Sequence, residues 1–237
     1  MTRKKKQVQP WRIAIAAVGV IASSLLCAGA QAALIGPVLP YLGFNDSPFK
    51  GLSFSYFYLE TFEDGFLNTP GVTASTGVVV GPGSLVDSVD GGGDAGRSFF
   101  TLNGVGGITF TFDKAVLGKL PTDVGIVWTD GDAPKRTFKA YDENNVLLGT
   151  IIDSSQKFFS TGGDDDPQNY RFFGVTNPGG ISSIFINNDS GGIEVDHLQY
   201  GFAAGVPELS SWAMMLVGFS LVGVQLRRRN GAALAPG

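Results

Sequence analysis

The sequence predicts an all-β protein, an antiparallel β-sandwich of the jelly-roll kind, and three observations predict it. Short aromatic and β-branched runs alternate apolar and polar residues with a period of two. Gly, Asn and Asp clusters punctuate these runs at the spacing of sandwich turns; the chain holds 34 Gly and 18 Phe in 237 residues. Helical periodicity is missing between residues 33 and 204, apart from one turn around Ala115–Leu120.

The elements follow in order. In LSFSYFYLETFEDG, Phe54, Tyr56 and Tyr58 fall on one strand face, because alternate side chains do. GITFTF sets Ile108, Phe110 and Phe112 on one face and Thr109 and Thr111 on the other. DVGIVWTDG is an apolar strand ending in a turn, and TFKAYDENNVLLGTII reads as strand, turn at Glu143-Asn144-Asn145, strand. YRFFGV, ISSIFIN and IEVDHLQYG supply three more strands, and DSVDGGGDAG and STGGDDDPQN are surface loops. No internal repeat is present. A domain over 33–204 is long enough for a sizeable core without disulfides. The single cysteine, Cys27, excludes both a disulfide framework and a CxxC site.

The ends differ from the middle. Arg3, Lys4, Lys5, Lys6 and Arg12 precede an apolar run from Ile13 to Ala30, and Ala30-Gln31-Ala32 has the A-x-A form of a signal-peptidase site. Residues 1–32 therefore read as a helical signal peptide with Ala30 and Ala32 marking the cut, and signal peptidase as a partner. Leu26 before Cys27 argues against a lipobox. The middle carries 20 acidic and 9 basic residues, a balance of −11, which disfavours nucleic acid and favours cations. Leu209–Leu226 is 18 residues without a charge, about 27 Å as a helix, just enough to cross a bilayer core. Trp212 stands near its outer end and Arg227, Arg228 and Arg229 follow it, so positive-inside logic places the arginines in the cytoplasm and the domain outside. Residues 230–237 form a short tail.

Carboxylates gather at Glu60, Glu63 and Asp64; at Asp87, Asp90 and Asp94; at Asp130 and Asp132; and at Asp164, Asp165 and Asp166. Hard oxygen donors on loops are what Ca²⁺ needs, and Glu63, Asp64, Asp87, Asp90 and Asp196 are the candidate ligands of a structural Ca²⁺. Set against this, Asp and Gly make turns for backbone reasons alone. Asp196 shares strand parity with Leu198 and Tyr200. If that face is the core, Asp196 is a buried charge needing Arg97, Arg171 or a cation; if a bulge breaks the parity, it turns away. His197, the only histidine, points opposite to Asp196 and makes no ready dyad, and no catalytic residue is assigned. A glycosidase carboxylate pair is spatial and leaves no spacing to read. Trp128 and Tyr141 suit sugar stacking or, equally, core packing.

Val206-Pro207-Glu208, then Trp212-Ala213-Met214-Met215, Gly218-Phe219 and Arg227-Arg228-Arg229 resemble the PEP-CTERM sorting signal, here over residues 205–229, with Leu209 where the signature has a second proline. The resemblance implies an exported protein of a Gram-negative bacterium that makes exopolysaccharide, held in the inner membrane until an exosortase cuts near Pro-Glu. It then becomes a cell-surface, extracellular-matrix or biofilm component. Gly191–Gly201, Glu60–Val72, Trp128–Asp132 and Arg171–Val175 are similar to segments of a group of such proteins, which implies a lectin-like sandwich. The expected function is thus a non-enzymatic surface protein binding glycan, such as exopolysaccharide, or Ca²⁺. A secreted polysaccharide hydrolase and a permanently anchored membrane protein are the alternatives.

Overall fold

Alternating residues pair wherever two runs meet, and the pairing fixes the architecture. The computed structural model describes residues 31–84, 86–90, 95–130, 134–155, 167–205 and 215–223. Among these are twelve strands: β1 (Ala33–Val38), β2 (Phe54–Glu60), β3 (Val72–Ala74), β4 (Val78–Val80), β5 (Ser98–Thr101), β6 (Ile108–Phe112), β7 (Asp123–Asp130), β8 (Arg136–Tyr141), β9 (Leu147–Asp153), β10 (Arg171–Thr176), β11 (Ser183–Asn188) and β12 (Ile193–Ala203). One helical turn, α1 (Lys114–Leu117), stands where the sequence places it. Asn145, in the left-handed region at φ 59°, makes the predicted β8–β9 turn.

The last eight strands pair in nested order: β5 with β12, β6 with β11, β7 with β10 and β8 with β9, all antiparallel. That winding is a jelly roll. It yields a seven-stranded sheet ordered β1-β10-β7-β12-β5-β4, with β2 beside the second half of β12, and a five-stranded sheet ordered β3-β6-β11-β8-β9. Between them lies the core, including Ile108, Phe110, Phe112, Ile126, Trp128, Phe138, Phe173, Ile184 and Tyr200. Each such side chain contributes about 1.5–3 kcal/mol on burial. The predicted faces of β6 hold: its Ile and Phe residues are buried and its threonines are not. Trp128 is fully buried, so it packs the core and offers no face to a sugar.

A third layer covers the seven-stranded sheet. Val127 and Phe172 alternate with core residues and so face outward, yet both are sealed beneath Tyr41 and Phe49 of the 39–53 segment. Two bulges serve this layer. Between Phe202 and Ala203 the β2 register shifts, so Phe54 joins Phe57 in the outer cluster while Tyr56 and Tyr58 stack on the Tyr200 side. The three therefore do not share a face as alternation alone predicts. In β12 the register shifts between Asp196 and Gln199, with His197 at φ 46°. Val195 and Leu198 both remain in the core, and Asp196 is turned to the outer face.

Residues 215–223 are helical and exposed, inside the predicted 209–226 span. Among the described residues no helix is long and apolar enough to cross a membrane. Ala30 and the signal peptide before it, Val206, Pro207, Glu208, Trp212 and Arg227–Arg229 lie outside the described residues, as do Asp94, Asp132 and Asp164–Asp166.

Candidate functional site

The β12 bulge aims adjacent residues into the outer layer and builds a polar network there. Ser47 Oγ donates to Gln199 Oε1 at 2.6 Å and Gln199 Nε2 donates to the Tyr41 hydroxyl at 2.8 Å. That hydroxyl lies 2.9 Å from His197 Nδ1, and His197 Nε2 lies 2.9 Å from Asp90 Oδ2. An ionised carboxylate only accepts, so Nε2 carries a proton. With Nδ1 unprotonated, every donor in the chain points the same way, from Ser47 to Asp90. The His197 hydrogen bond holds Asp90 below the usual carboxylate range despite its partial burial. Burial pushes the Tyr41 phenol far above its ordinary value, so Tyr41 keeps its proton and acts in this chain as a hydrogen-bonding hydroxyl.

Asp196 is fully buried in the same layer. Its partners are neither Arg97 nor Arg171. Oδ2 accepts from Val89 N at 2.8 Å and Ser88 Oγ at 3.1 Å, and Oδ1 accepts from His197 N at 2.6 Å. Burial pushes its carboxyl up to about 7. Arg97 instead donates to the Gly81 carbonyl. Arg171 and Arg136 converge on the buried Asp153, at 2.6 and 3.2 Å.

The five candidate Ca²⁺ ligands fall in three places. Asp90 and Asp196 join His197, with one potential ligand atom from each lying within 4.8 Å of the others; Asp87 joins Asp130 and Glu194 in the same way. Glu63 accepts from Arg97 N, 34 residues away, at 2.7 Å, and Asp64 accepts from Phe66 N at 3.0 Å, as a turn residue does. Each trio offers one ligand atom per side chain, and a Ca²⁺ site of six to eight oxygens would draw the rest from second carboxylate oxygens, carbonyls and water. Glu194, which sequence parity gave no reason to select, accepts from Asp87 N at 2.9 Å and from Ser98 Oγ. Burial first, and the Asp87 and Asp130 charges after it, push Glu194 up to about 8, against those hydrogen bonds. A carboxyl raised in this way takes up a proton more readily, which eases its repulsion with Asp87 and Asp130.

A concave site lies elsewhere, between the end of β12, β2 and α1. Ser55, Tyr56, Pro70, Val116, Leu117, Lys119 and Phe202 line a cleft of about 410 Å³. Asp113 caps α1 by accepting from Ala115 N, and Gly118, at φ 79°, ends it in the left-handed conformation that glycine adopts without strain. Lys119 follows, its ammonium 4.9 Å from the Phe202 ring centroid. Tyr56 is 40% exposed, with its ring 5.7 Å from Phe202 and 5.9 Å from Tyr200. The Tyr200 hydroxyl in turn donates to the Pro70 carbonyl at 2.9 Å. Aromatic neighbours thus hold one ring face at a fixed angle, beside a cation and the Ser55 hydroxyl. No lining residue is a carboxylate.

The outer face of the five-stranded sheet carries a flatter row, Thr109, Phe185, Lys139 and Thr150, set by the register of β6, β11, β8 and β9. Lys139 Nζ lies 5.7 Å from the Phe185 ring centroid. Tyr141, half-buried, starts the neighbouring row opposite Ser183.

No protein-family model matches the chain, nor does any curated protein. Among solved structures it is similar to the C-terminal family 22 carbohydrate-binding module of Clostridium thermocellum Xyn10B, at 15% identity and TM-score 0.38 over 65% of this chain and 96% of that one. It is similar to TmCBM61, solved in complex with β-1,4-galactotriose, at 14% identity and TM-score 0.32 over 61% and 95%. It is also similar to the enzymatically active domain of bacteriophage CBA120 tailspike protein 4, at 14% identity and TM-score 0.33 over 60% and 20%. At these identities the likeness is one of sandwich architecture.

Proposed function

We propose that this chain is an exported surface or matrix protein that binds polysaccharide through its sandwich and catalyses no reaction on it. The observation that carries the reading is the cleft around Tyr56: a half-exposed aromatic face, braced by two further rings and flanked by hydroxyl and ammonium donors. Sugar rings present an apolar C–H face and a polar rim, and such a site answers both. Hydrolysis of a glycosidic bond needs two carboxyl groups across it, and the cleft lining has none. Export by signal peptidase and sorting by an exosortase rest on the terminal segments and belong to the same reading.

A glycan array probed with residues 33–205, with and without calcium, tests it. Binding is expected to a defined set of saccharides. Tyr56→Ala should weaken it about tenfold, the equivalent of one lost stacking contact of about 1.4 kcal/mol. Phe185→Ala should leave it unchanged. Loss with Phe185→Ala and not with Tyr56→Ala would move the site to the five-stranded sheet and refute the cleft. Calcium dependence would restore a metal to the account; an unchanged array in chelator would remove it.

A further inference from the structure

Lys119 is the feature of the cleft that a generic sugar site does not require. The domain is strongly acidic, and the exposed Lys114, five residues earlier, pairs with Glu143 at 2.6 Å. Among the described residues Lys119 has no carboxylate within ion-pairing distance. Its ammonium is held over an apolar floor, and the seven lining residues include no acid to compensate it. Tyr56 and Lys119 both lie around one ring, that of Phe202, with centroid distances of 5.7 and 4.9 Å. Both also line the one cleft, so a sugar bound there adjoins the Tyr56 ring and the ammonium.

We infer that the cleft selects a uronic-acid residue of an acidic polysaccharide. The sugar's C–H face packs on Tyr56 and its ring carboxylate pairs with Lys119. This rests on the reading of the cleft as a glycan site and deepens it. Charge decides the class. An amino sugar brings a second cation beside Lys119, and a neutral hexose leaves the ammonium without an anion. A uronate supplies a counter-charge where none of the described residues does. The −11 balance of the surrounding domain opposes a long polyanion at distance. The site thus favours a chain end or a short stretch over a wrapped polymer.

The test uses the full chain in detergent micelles and titration calorimetry with oligogalacturonate and oligomannuronate, each against its carboxyl-methyl ester, which keeps the ring and removes the charge. At least one acid form should bind about fivefold tighter than its ester, the worth of a partly exposed ion pair. Lys119→Ala should erase that preference, so that acid and ester bind this variant alike. Tyr56→Ala should weaken acid and ester together. Thermal melts of each variant confirm folding, which substitution of the exposed Lys119 should not disturb. Equal binding of acid and ester, or a preference that survives Lys119→Ala, overturns the uronate inference. So does array binding of neutral glycans, lost in Tyr56→Ala, with no response to either uronate; that result leaves the glycan cleft standing. Silence on every glycan, array included, refutes the cleft reading itself and the inference with it.

Discussion

At the scale of single residues, Glu194 and Asp196 set how the domain responds to pH. Their folded-state carboxyls are raised to about 8 and about 7, from ordinary values of 4.5 and 3.8. Between about pH 4 and 8 the folded protein therefore holds protons that the unfolded chain has released. Stability falls as pH rises through that window. Asp90 and Asp153 are shifted the other way, and their contribution is lost only as pH drops through and below the ordinary carboxylate range. The melting temperature should therefore be several degrees higher near pH 5 than near pH 9. Glu194→Gln, which keeps an acceptor for Asp87 N, should flatten the slope. Thermal melts across pH 4.5–9 check this, and a melting point that climbs steadily toward pH 9 would refute it. Neither the shifts nor the hydrogen-bonded chain through His197 was legible in the sequence. That chain and the Asp196 shift depend on the β12 bulge, which moves Asp196 off the face that simple alternation assigns. A bulge of this kind normally advertises itself by glycine, whereas here His197 takes the positive φ.

At the scale of elements, the long strands were legible and the short ones were not, for a physical reason. β6, β7, β8, β9, β10, β11 and β12 each run long enough for a period of two to show. β3 and β4 have three residues each, too few for any period, and β1 carries Pro37, which argues against a strand. β1 tolerates that proline because it is an edge, paired only with β10. The outer layer was equally hidden, since nothing in segment 39–53 repeats. Its anchor is Phe49, fully buried, edge-on to Phe172 at 5.3 Å and to Phe54 at 6.2 Å. Phe49→Ala should cost about 3–5 kcal/mol, read by urea unfolding. A cost below about 1 kcal/mol would mean that the segment merely rests on the sheet. The paired arginines behave differently. Asp153→Ala leaves two buried guanidiniums without their shared carboxylate, and should destabilise by about 3–5 kcal/mol.

At the scale of the whole molecule, what matters is where the chain leaves the sandwich. Ala203 N donates to Thr122 Oγ1 at 2.7 Å and Ala204 N to the Ser53 carbonyl at 2.9 Å, so backbone order persists to the brink of Val206-Pro207-Glu208. Under the sorting proposed above, only Gly205 would separate Val206-Pro207-Glu208 from residues tied into the sandwich, which would leave an exosortase little slack on that side. Two consequences follow from the proposed sorting. Inserting a short Gly/Ser spacer between Gly205 and Val206 should speed processing, because it lets the motif enter an active site without straining the end of β12. Leu209→Pro, which completes the signature and favours an extended Glu208 before it, should speed it as well. Pulse labelling in the producing cell measures both rates, and mass spectrometry of the mature product locates its ends. The expected product starts at Ala33 and stops short of Arg227. If the tail is only an anchor, the mature chain retains Arg227–Arg229, fractionates with the membrane, and shows no change with either variant.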